Sequence, residues 1–127
     1  MDPITAAIVA AIAAGTAKVA EQAIVDAYAG LKELLRRKFG AKSEVVKAVK
    51  ALEAKPDSAA RKDVVKEEVA AAKADQDPEL LQAAHALLDK IGAQPGGVQV
   101  IQQATGSYIA QASGGSTASV NVNTPKT

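Results

Sequence analysis

The chain has 127 residues, of which 48% are hydrophobic and only 2% aromatic, and its formal net charge at neutral pH is +1. It contains no cysteine and a single histidine, His85, which excludes disulfide scaffolds, thiol catalysis and multi-histidine metal sites. The balanced charge argues against strong attraction to nucleic acid. Composition therefore predicts a non-enzymatic protein that needs no metal or cofactor and binds no nucleic acid.

The charged side chains divide the chain into three parts. All but one of them lie between Asp2 and Lys90, and Lys126 is the exception. No charged residue occurs in residues 92–125, and a second charge-free run covers residues 3–17. We therefore expect an apolar N-terminal segment, a charged helical body and an uncharged polar tail.

The N-terminal segment is predicted to be a helix that starts at Asp2-Pro3, with Asp as the N-cap and Pro in the first turn. It is about half as long as a membrane-spanning helix, and Asp2 stands where a signal peptide would carry a basic residue. The segment is therefore interpreted as a buried bundle helix or as a membrane-active helix released on activation, in a cytoplasmic protein. Its apolar ridge consists of Ile4, Ile8, Val9 and Ile12.

The second helix is predicted over about residues 17–38 and ends in three cations. Arg36, Arg37 and Lys38 stand in its last turn, where positive charge opposes the helix dipole, and Gly40 suits the C-cap. The basic cluster is most simply a solvated helix end. Its alternative role is contact with anionic lipid, to which each cation adds about 1 kcal/mol.

Three further helices complete the predicted body. Ser43 caps the third, residues 57–58 start the fourth after Pro56, and Asp77-Pro78 starts the fifth, which Gly92 ends. Short connections favour antiparallel neighbours. The sequence thus predicts an all-α bundle of four or five helices over residues 1–92, followed by an uncharged, β-prone tail.

The tail is predicted to begin with a Pro/Gly linker at residues 93–97 and to end in disorder at residues 124–127. Between them, residues 98–123 alternate apolar and polar side chains in three short candidate strands. One interpretation is that these strands become ordered by stacking on copies of themselves, which the absence of charged side chains permits. The alternative is that the tail is disordered or loosely docked. The candidate motif residues are Val98, Val100, Ile101, Gln102, Gln103, Gly106, Tyr108, Ile109, Gln111, Gly114, Gly115, Val120 and Val122.

The opening residues Met1–Ala10 (MDPITAAIVA), the helical body and the charge-free C-terminal motif together resemble the bacterial Bell-domain proteins, which are likened to fungal HeLo-domain cell-death proteins. In that class the helical domain is the membrane-directed executioner. Its C-terminal motif is an amyloid signalling sequence, matched by one on a NOD-like receptor. Residues 109–114 (IAQASG) also resemble the core of RHIM-type motifs, with Ala110 in place of a larger aliphatic residue and Ser113 inserted before Gly114.

The resemblance implies a non-enzymatic cell-death effector of bacterial immune or conflict signalling. A receptor's amyloid would template the tail, stacked tails would raise the local concentration of the bundles, and the helical domain would move to the inner face of the cell membrane. The alternatives are a non-lytic oligomerising adaptor or scaffold, and a filament subunit that donates its tail as a strand. An exported subunit should carry an export signal, which we do not find.

Overall fold

The computed structural model describes residues 1–16 and 21–105, and in these ranges the chain forms helices joined by short turns, with no strand. A single 3-10 turn, Ala74–Gln76, precedes the fifth helix. The predicted all-α body is confirmed, with six α-helices in the described ranges rather than four or five. They are α1 (Pro3–Thr16), α2 (Gln22–Phe39), α3 (Glu44–Ala54), α4 (Ala59–Ala71), α5 (Pro78–Gly92) and α6 (Gly97–Thr105).

The predicted starts of α3, α4 and α5 are confirmed by side-chain caps, whereas α2, predicted from about residue 17, begins at Gln22 without one. The Ser43 hydroxyl accepts a hydrogen bond from the backbone N–H of Val46, and the Ser58 hydroxyl accepts one from that of Arg61. The Asp77 carboxylate accepts two, from the backbone N–H groups of the second and third residues of α5. These caps satisfy donors that have no partner within the helix.

The core is arranged around α1. Its neighbours are chiefly α5 and α6, with smaller contacts to α4 and α2, while α2 packs on α5 and α3, and α3 packs on α4. The apolar stripes of α3 and α5 both face inward, and the fully buried side chains of α5 include Leu80, Leu87 and Ile91. The helices α2 to α5 all carry charged side chains, whereas the central helix α1 and its neighbour α6 carry none.

The structure corrects the sequence analysis at residues 97–105. The candidate strand at residues 98–100 is part of α6. The α6 residues Val100 and Ile101 belong to the same hydrophobic core as α1. The helix forms because Gly97, Val100, Ile101 and Ala104 stand at i, i+3, i+4 and i+7, which is one face of a helix. Three alternating residues could not distinguish this stripe from a strand. The helical body consequently extends through residue 105 instead of ending at residue 92.

Candidate functional site: the buried first helix and the helix that covers it

The apolar ridge predicted to be membrane-active lies inside the bundle. Ile4, Ile8 and Val9 are each at most 1% exposed, and Ile12 is partly buried against the same core. Alanines fill the other faces of α1, so that neighbouring helices approach it from several sides. In this arrangement most of the apolar side chains of α1 are covered by other helices.

The N-terminus of α1 is fixed by a pair of hydrogen bonds. One Asp2 carboxylate oxygen accepts from the Thr5 backbone N–H at 2.8 Å, and the other accepts from the Thr5 hydroxyl at 2.7 Å. Thr5 is the one fully buried polar side chain in the described part of the chain. Because a buried hydroxyl without a partner destabilises the fold, Asp2 both caps α1 and makes the burial of Thr5 possible.

The helix α6 lies against α1 and covers part of it. Ile101 is 1% exposed, and its Cδ1 atom would lie 3.8 Å from a Cβ placed on Gly92, so that it packs over the end of α5. A Cβ placed on Gly97 would overlap the backbone carbonyl of Ile91. The close approach between the start of α6 and the end of α5 therefore requires a glycine at position 97.

A shallow groove lies beside the contact between α1 and α6. It has a volume of about 240 Å³, and its walls include Val9 and Ala13 from α1 and Val100 and Ala104 from α6. Charged side chains reach it only from Asp57 and Lys62, near the start of α4. The residues that α1 and α6 contribute to the walls of this groove are thus mostly apolar.

The predicted motif residues fall into two groups. Val100 and Ile101 are buried in α6, whereas Val98 is 37% exposed, and Gln102 and Gln103 lie on the solvent side of the same helix. The remaining predicted motif residues lie outside the described residues: Gly106, Tyr108, Ile109, Gln111, Gly114, Gly115, Val120 and Val122. For this second group the cross-β interpretation stays a prediction.

The basic cluster at the end of α2 is only partly available to an anionic lipid. Lys38 bridges to α5, with its ammonium 3.2 Å from the Asp77 carboxylate and 2.9 Å from that of Glu79. Arg36 pairs with Glu33 on its own helix. The pKa of Asp77 is held below its usual range by the backbone N–H of Leu80 and by Lys38. Of the three predicted lipid-contact residues, only Arg37 forms no ion pair with any residue the structure describes.

A polar cluster joining α2 to α3 was not predicted from the sequence. The Tyr28 hydroxyl donates to the Glu53 carboxylate at 2.6 Å, Lys32 donates to the same oxygen at 2.8 Å, and the Lys32 ammonium lies 4.7 Å from the centre of the Tyr28 ring. Burial and the adjacent carboxylate raise the pKa of Tyr28. Burial opposes ionisation of Glu53, but the hydrogen bonds from Lys32 and Tyr28 outweigh it and lower the pKa of that carboxyl.

No group of three or more potential metal ligands occurs in residues 1–16 and 21–105, and His85 is exposed on α5. Among the same residues, no helix has the length and apolar character needed to cross a membrane.

One comparison with known proteins gives a match. The family model described as the Het-E N-terminal domain matches residues 1–127. This family is associated with HeLo-type cell-death and incompatibility domains, which agrees with the HeLo-like resemblance noted in the sequence. No curated protein and no solved structure matches the chain.

Proposed function

Because the chain belongs to the Het-E N-terminal domain family, we propose that it is a non-enzymatic cell-death effector whose helical domain acts on the inner face of the cell membrane. One observation carries the proposal. A charge-free apolar helix, α1, is concealed at the centre of the bundle, and α6, which lies within the charge-free residues 92–125, covers part of it. Removing α6 would expose apolar surface of α1, which is more stable in the hydrocarbon of a bilayer than in water.

In the proposed activation, a NOD-like receptor carrying a matching motif templates the tail. Part of the predicted motif, residues 98 and 100–103, lies in α6. A residue cannot be in a helix and in a β-stack at once, so recruitment of these residues into a stack removes α6 from α1. Tail assembly and exposure of α1 would then be coupled directly.

Clustering would be necessary for the membrane step. A 14-residue helix is about 21 Å long, whereas the hydrocarbon core of a bilayer is about 30 Å thick. A single α1 therefore cannot span an unperturbed bilayer. Many copies held together by stacked tails reach a high effective concentration and share the cost of thinning the bilayer locally.

A reversible cross-link between α1 and α6 tests the proposal. The chain has no cysteine, so Ala13→Cys with Ala104→Cys introduces a single pair across the α1–α6 groove. The matched control, Ala29→Cys with Lys50→Cys, joins α2 to α3 across a different groove. Each oxidised protein is added to anionic liposomes that hold a self-quenching dye, together with fibril seeds made from residues 98–123.

We expect the oxidised α1–α6 pair to cause no dye leakage above background. Reduction of the disulfide should restore the leakage. The α2–α3 control should cause dye leakage in both its oxidised and its reduced state. Leakage that is unaffected by the α1–α6 cross-link would contradict the role assigned to α1. If the disulfide forms poorly, a short bismaleimide across the same cysteines gives the same comparison without the reductant.

The seeds themselves test the templating step. A peptide of residues 98–123 should give cross-β diffraction with reflections near 4.7 and 10 Å, because none of its side chains is charged and identical copies can therefore stack. Gln111→Lys should prevent fibril formation, since it would place like charges about 4.8 Å apart in an in-register stack. A peptide that stays monomeric at high concentration, with and without seeds, would remove the basis for amyloid activation.

The second candidate function is a non-lytic adaptor or scaffold that the tail assembles. It is favoured by the finding that no described helix is long and apolar enough to span a membrane. The same liposome assay separates the two functions. An adaptor forms fibrils through its tail and leaves the liposomes intact whether or not α1 is cross-linked.

A further inference from the structure

Helices α3 and α4 form a hairpin, defined here as residues 41–72, that is attached to the rest of the bundle less extensively than to itself. The main neighbour of α3 is α4, while the contacts of α3 with α2 and of α4 with α1 are smaller. A side chain fastens the hairpin internally, because the Arg61 guanidinium at the start of α4 donates a hydrogen bond at 2.6 Å to the Ala51 carbonyl near the end of α3. The two helices are therefore linked to each other more firmly than to their surroundings.

The hairpin contributes mostly short apolar side chains to the core. Leu52 is its only residue among the leucine, isoleucine, methionine and aromatic types, and its other large apolar residues are valines. In α4, which packs on α1, only Val65 and Val69 are buried. Because a valine buries less apolar area than a leucine or isoleucine, separating the hairpin from the bundle costs less free energy than separating α1 from α5.

Three open depressions lie along the seam between the hairpin and the other helices. The first, of about 290 Å³, lies between α2 and α3. The second, of about 360 Å³, has Glu53 and Pro56 of the hairpin opposite residues of α1 and α2. The third is the groove beside α1 and α6, to which the hairpin contributes Pro56, Asp57 and Lys62. Solvent thus borders the seam at three places, and only part of the inner surface of the hairpin contacts the other helices.

The backbone has a positive φ at both ends of the hairpin. Gly40, with φ of 101°, joins α2 to the hairpin, and Lys73, with φ of 57°, follows it. In residues 1–16 and 21–105 no other non-glycine residue has a positive φ, a conformation that a Cβ atom disfavours. A Cβ placed on Gly40 would meet no atom within 4 Å, so the chain has space to rotate there. Residues at the ends of elements are where hinges absorb backbone rotation.

The hydrogen bonds that tie the hairpin to α2 converge on one carboxylate. Glu53 accepts a hydrogen bond from the Tyr28 hydroxyl at 2.6 Å and another from the Lys32 ammonium at 2.8 Å. The side chains of Lys32 and Glu53 are both partly exposed, so water can replace each partner when the two helices separate. Glu53 therefore holds the hairpin against α2 without making its release costly.

We propose that the α3–α4 hairpin is a lid on the side of α1 that faces α4. It opens as one body about Gly40 and Lys73, and Glu53 holds it closed. Opening leaves α6 in place, so the protein exposes part of α1 transiently without any assembly of its tail. The inference does not rest on the membrane action proposed above, because it concerns the protein alone, without seeds or lipid.

Thiol labelling at introduced cysteines tests the lid, because the chain has no cysteine. Val49→Cys is the reporter at the seam, where Val49 is 2% exposed and lines the depression between α2 and α3. Ala84→Cys, at a fully buried position of α5, is the control, and Val64→Cys, at an exposed position of α4, gives the rate of an unprotected thiol. The full-length protein is labelled at low reagent concentration, so that closing outpaces labelling, over a series of urea concentrations below the unfolding transition.

We expect Val49→Cys to be labelled at least about tenfold faster than Ala84→Cys. Its rate should also depend less on urea, because opening the lid exposes less surface than unfolding the whole chain. Val46→Cys, on the same seam, provides a second reporter. Circular dichroism and the melting temperature establish that each variant is folded. Equal rates with equal urea dependence at positions 49 and 84 would overturn the proposal.

Two further substitutions distinguish the open lid from global unfolding. Glu53→Gln removes an interaction that is lost in both states, so it should accelerate labelling at positions 49 and 84 alike, by up to about fivefold. Gly97→Ala weakens the seating of α6, which stays in place when the lid opens. It should therefore accelerate labelling about fivefold or more at position 84 and leave the rate at position 49 unchanged.

Two results of this comparison would also overturn the proposal. Equal acceleration of both positions by Gly97→Ala would mean that position 49 is reached only by global unfolding. An unchanged rate at position 49 in Glu53→Gln would mean that Glu53 keeps its partners while the thiol reacts, so that the hairpin does not leave α2.

Discussion

Helices α1 and α4 are almost equal in length, with 14 and 13 residues, but the molecule stabilises them in opposite ways. Nine residues of α1 are buried and none is charged, whereas α4 buries only Val65 and Val69 and carries six charged side chains. Burial of apolar surface stabilises α1, while a Ser58 cap and good helix-forming residues stabilise α4. Substitutions in α1 should therefore affect the stability of the bundle strongly, whereas substitutions on the outer surface of α4 should affect it little.

The largest expected effect comes from placing a carboxylate in each helix. Ile8→Asp puts a charge at a fully buried position of α1 and should lower the free energy of unfolding by about 4 kcal/mol or more, enough to unfold a marginally stable domain. Val64→Asp makes a comparable change on α4, where Val64 is 43% exposed, and should change stability by no more than about 0.5 kcal/mol. Urea denaturation followed by circular dichroism measures both.

A folded Ile8→Asp variant with near-normal stability would mean that α1 is not the centre of the core. In that case the membrane hypothesis would also lose its premise that α1 is concealed.

The second largest effect concerns two helical glycines. Gly97→Ala should destabilise the protein by about 1–3 kcal/mol, because the new methyl group meets the Ile91 carbonyl and must push α6 away. Gly15→Ala, at the exposed end of α1 with nothing within 4 Å, should be neutral or stabilise the protein by up to about 1 kcal/mol. Hydrogen exchange of α6 amides should accelerate only in Gly97→Ala.

Equal exchange rates in the two glycine variants would show that α6 is not seated by the contact at position 97.

These two contrasts also mark how far the sequence alone could go. The burial of Ile4 and Ile8 and the caps at Ser43, Ser58 and Asp77 follow from periodicity and local chemistry, and the structure agrees. The helical state of residues 97–105 was missed, because the short apolar stripe of these residues is stabilised by packing of Val100 and Ile101 in the core with α1, and a local pattern does not reveal that packing. The partners of Lys38 were missed for a related reason, since nothing local to α2 reveals that Asp77 and Glu79 lie opposite.

The Tyr28–Lys32–Glu53 cluster shows the same limit in the outer layer. Tyr28 and Lys32 stand four residues apart, which predicts their neighbouring positions on α2. Glu53 is 21 residues beyond Lys32 along the chain and reaches both only through the packing of α2 on α3. A long-range contact of this kind needs the register between two helices, which single-sequence periodicity does not supply.

A smaller effect is expected from Glu53→Gln, and it depends on pH. Because the pKa of Glu53 is lowered in the folded protein, the ionised carboxylate contributes stability above the ordinary pKa of an unfolded glutamate, and this contribution is lost as pH falls through the lower folded value. The variant should be less stable than the parent at neutral pH by about 1 kcal/mol or less, given solvent screening, and the difference should vanish in acid.

Urea titrations between pH 7 and pH 3 measure this difference. Glu67→Gln, on the exposed face of α4, serves as the control and should show no such convergence. A stability gap for Glu53→Gln that widens in acid would contradict the assigned ion pair.

The smallest effect should come from Glu33→Gln. It removes an exposed pair with Arg36 in which both side chains are about half exposed, so we expect a change of no more than about 0.5 kcal/mol, decreasing further at high salt. Thermal melts at low and high ionic strength provide the measurement. A change as large as that of Glu53→Gln would mean that the outer layer depends on surface ion pairs more than its exposure suggests.

The order of α1 before its main partners along the chain has a consequence for synthesis. Its main partners are α5 and α6, and α6 ends at residue 105, 89 residues after α1 ends at residue 16. At about 5–20 residues per second, a ribosome needs roughly 4–18 s to deliver those partners after α1 has been made. Throughout that interval the nascent chain carries an apolar segment without its final neighbours, so each new copy of the protein requires either a chaperone or rapid provisional burial against α2.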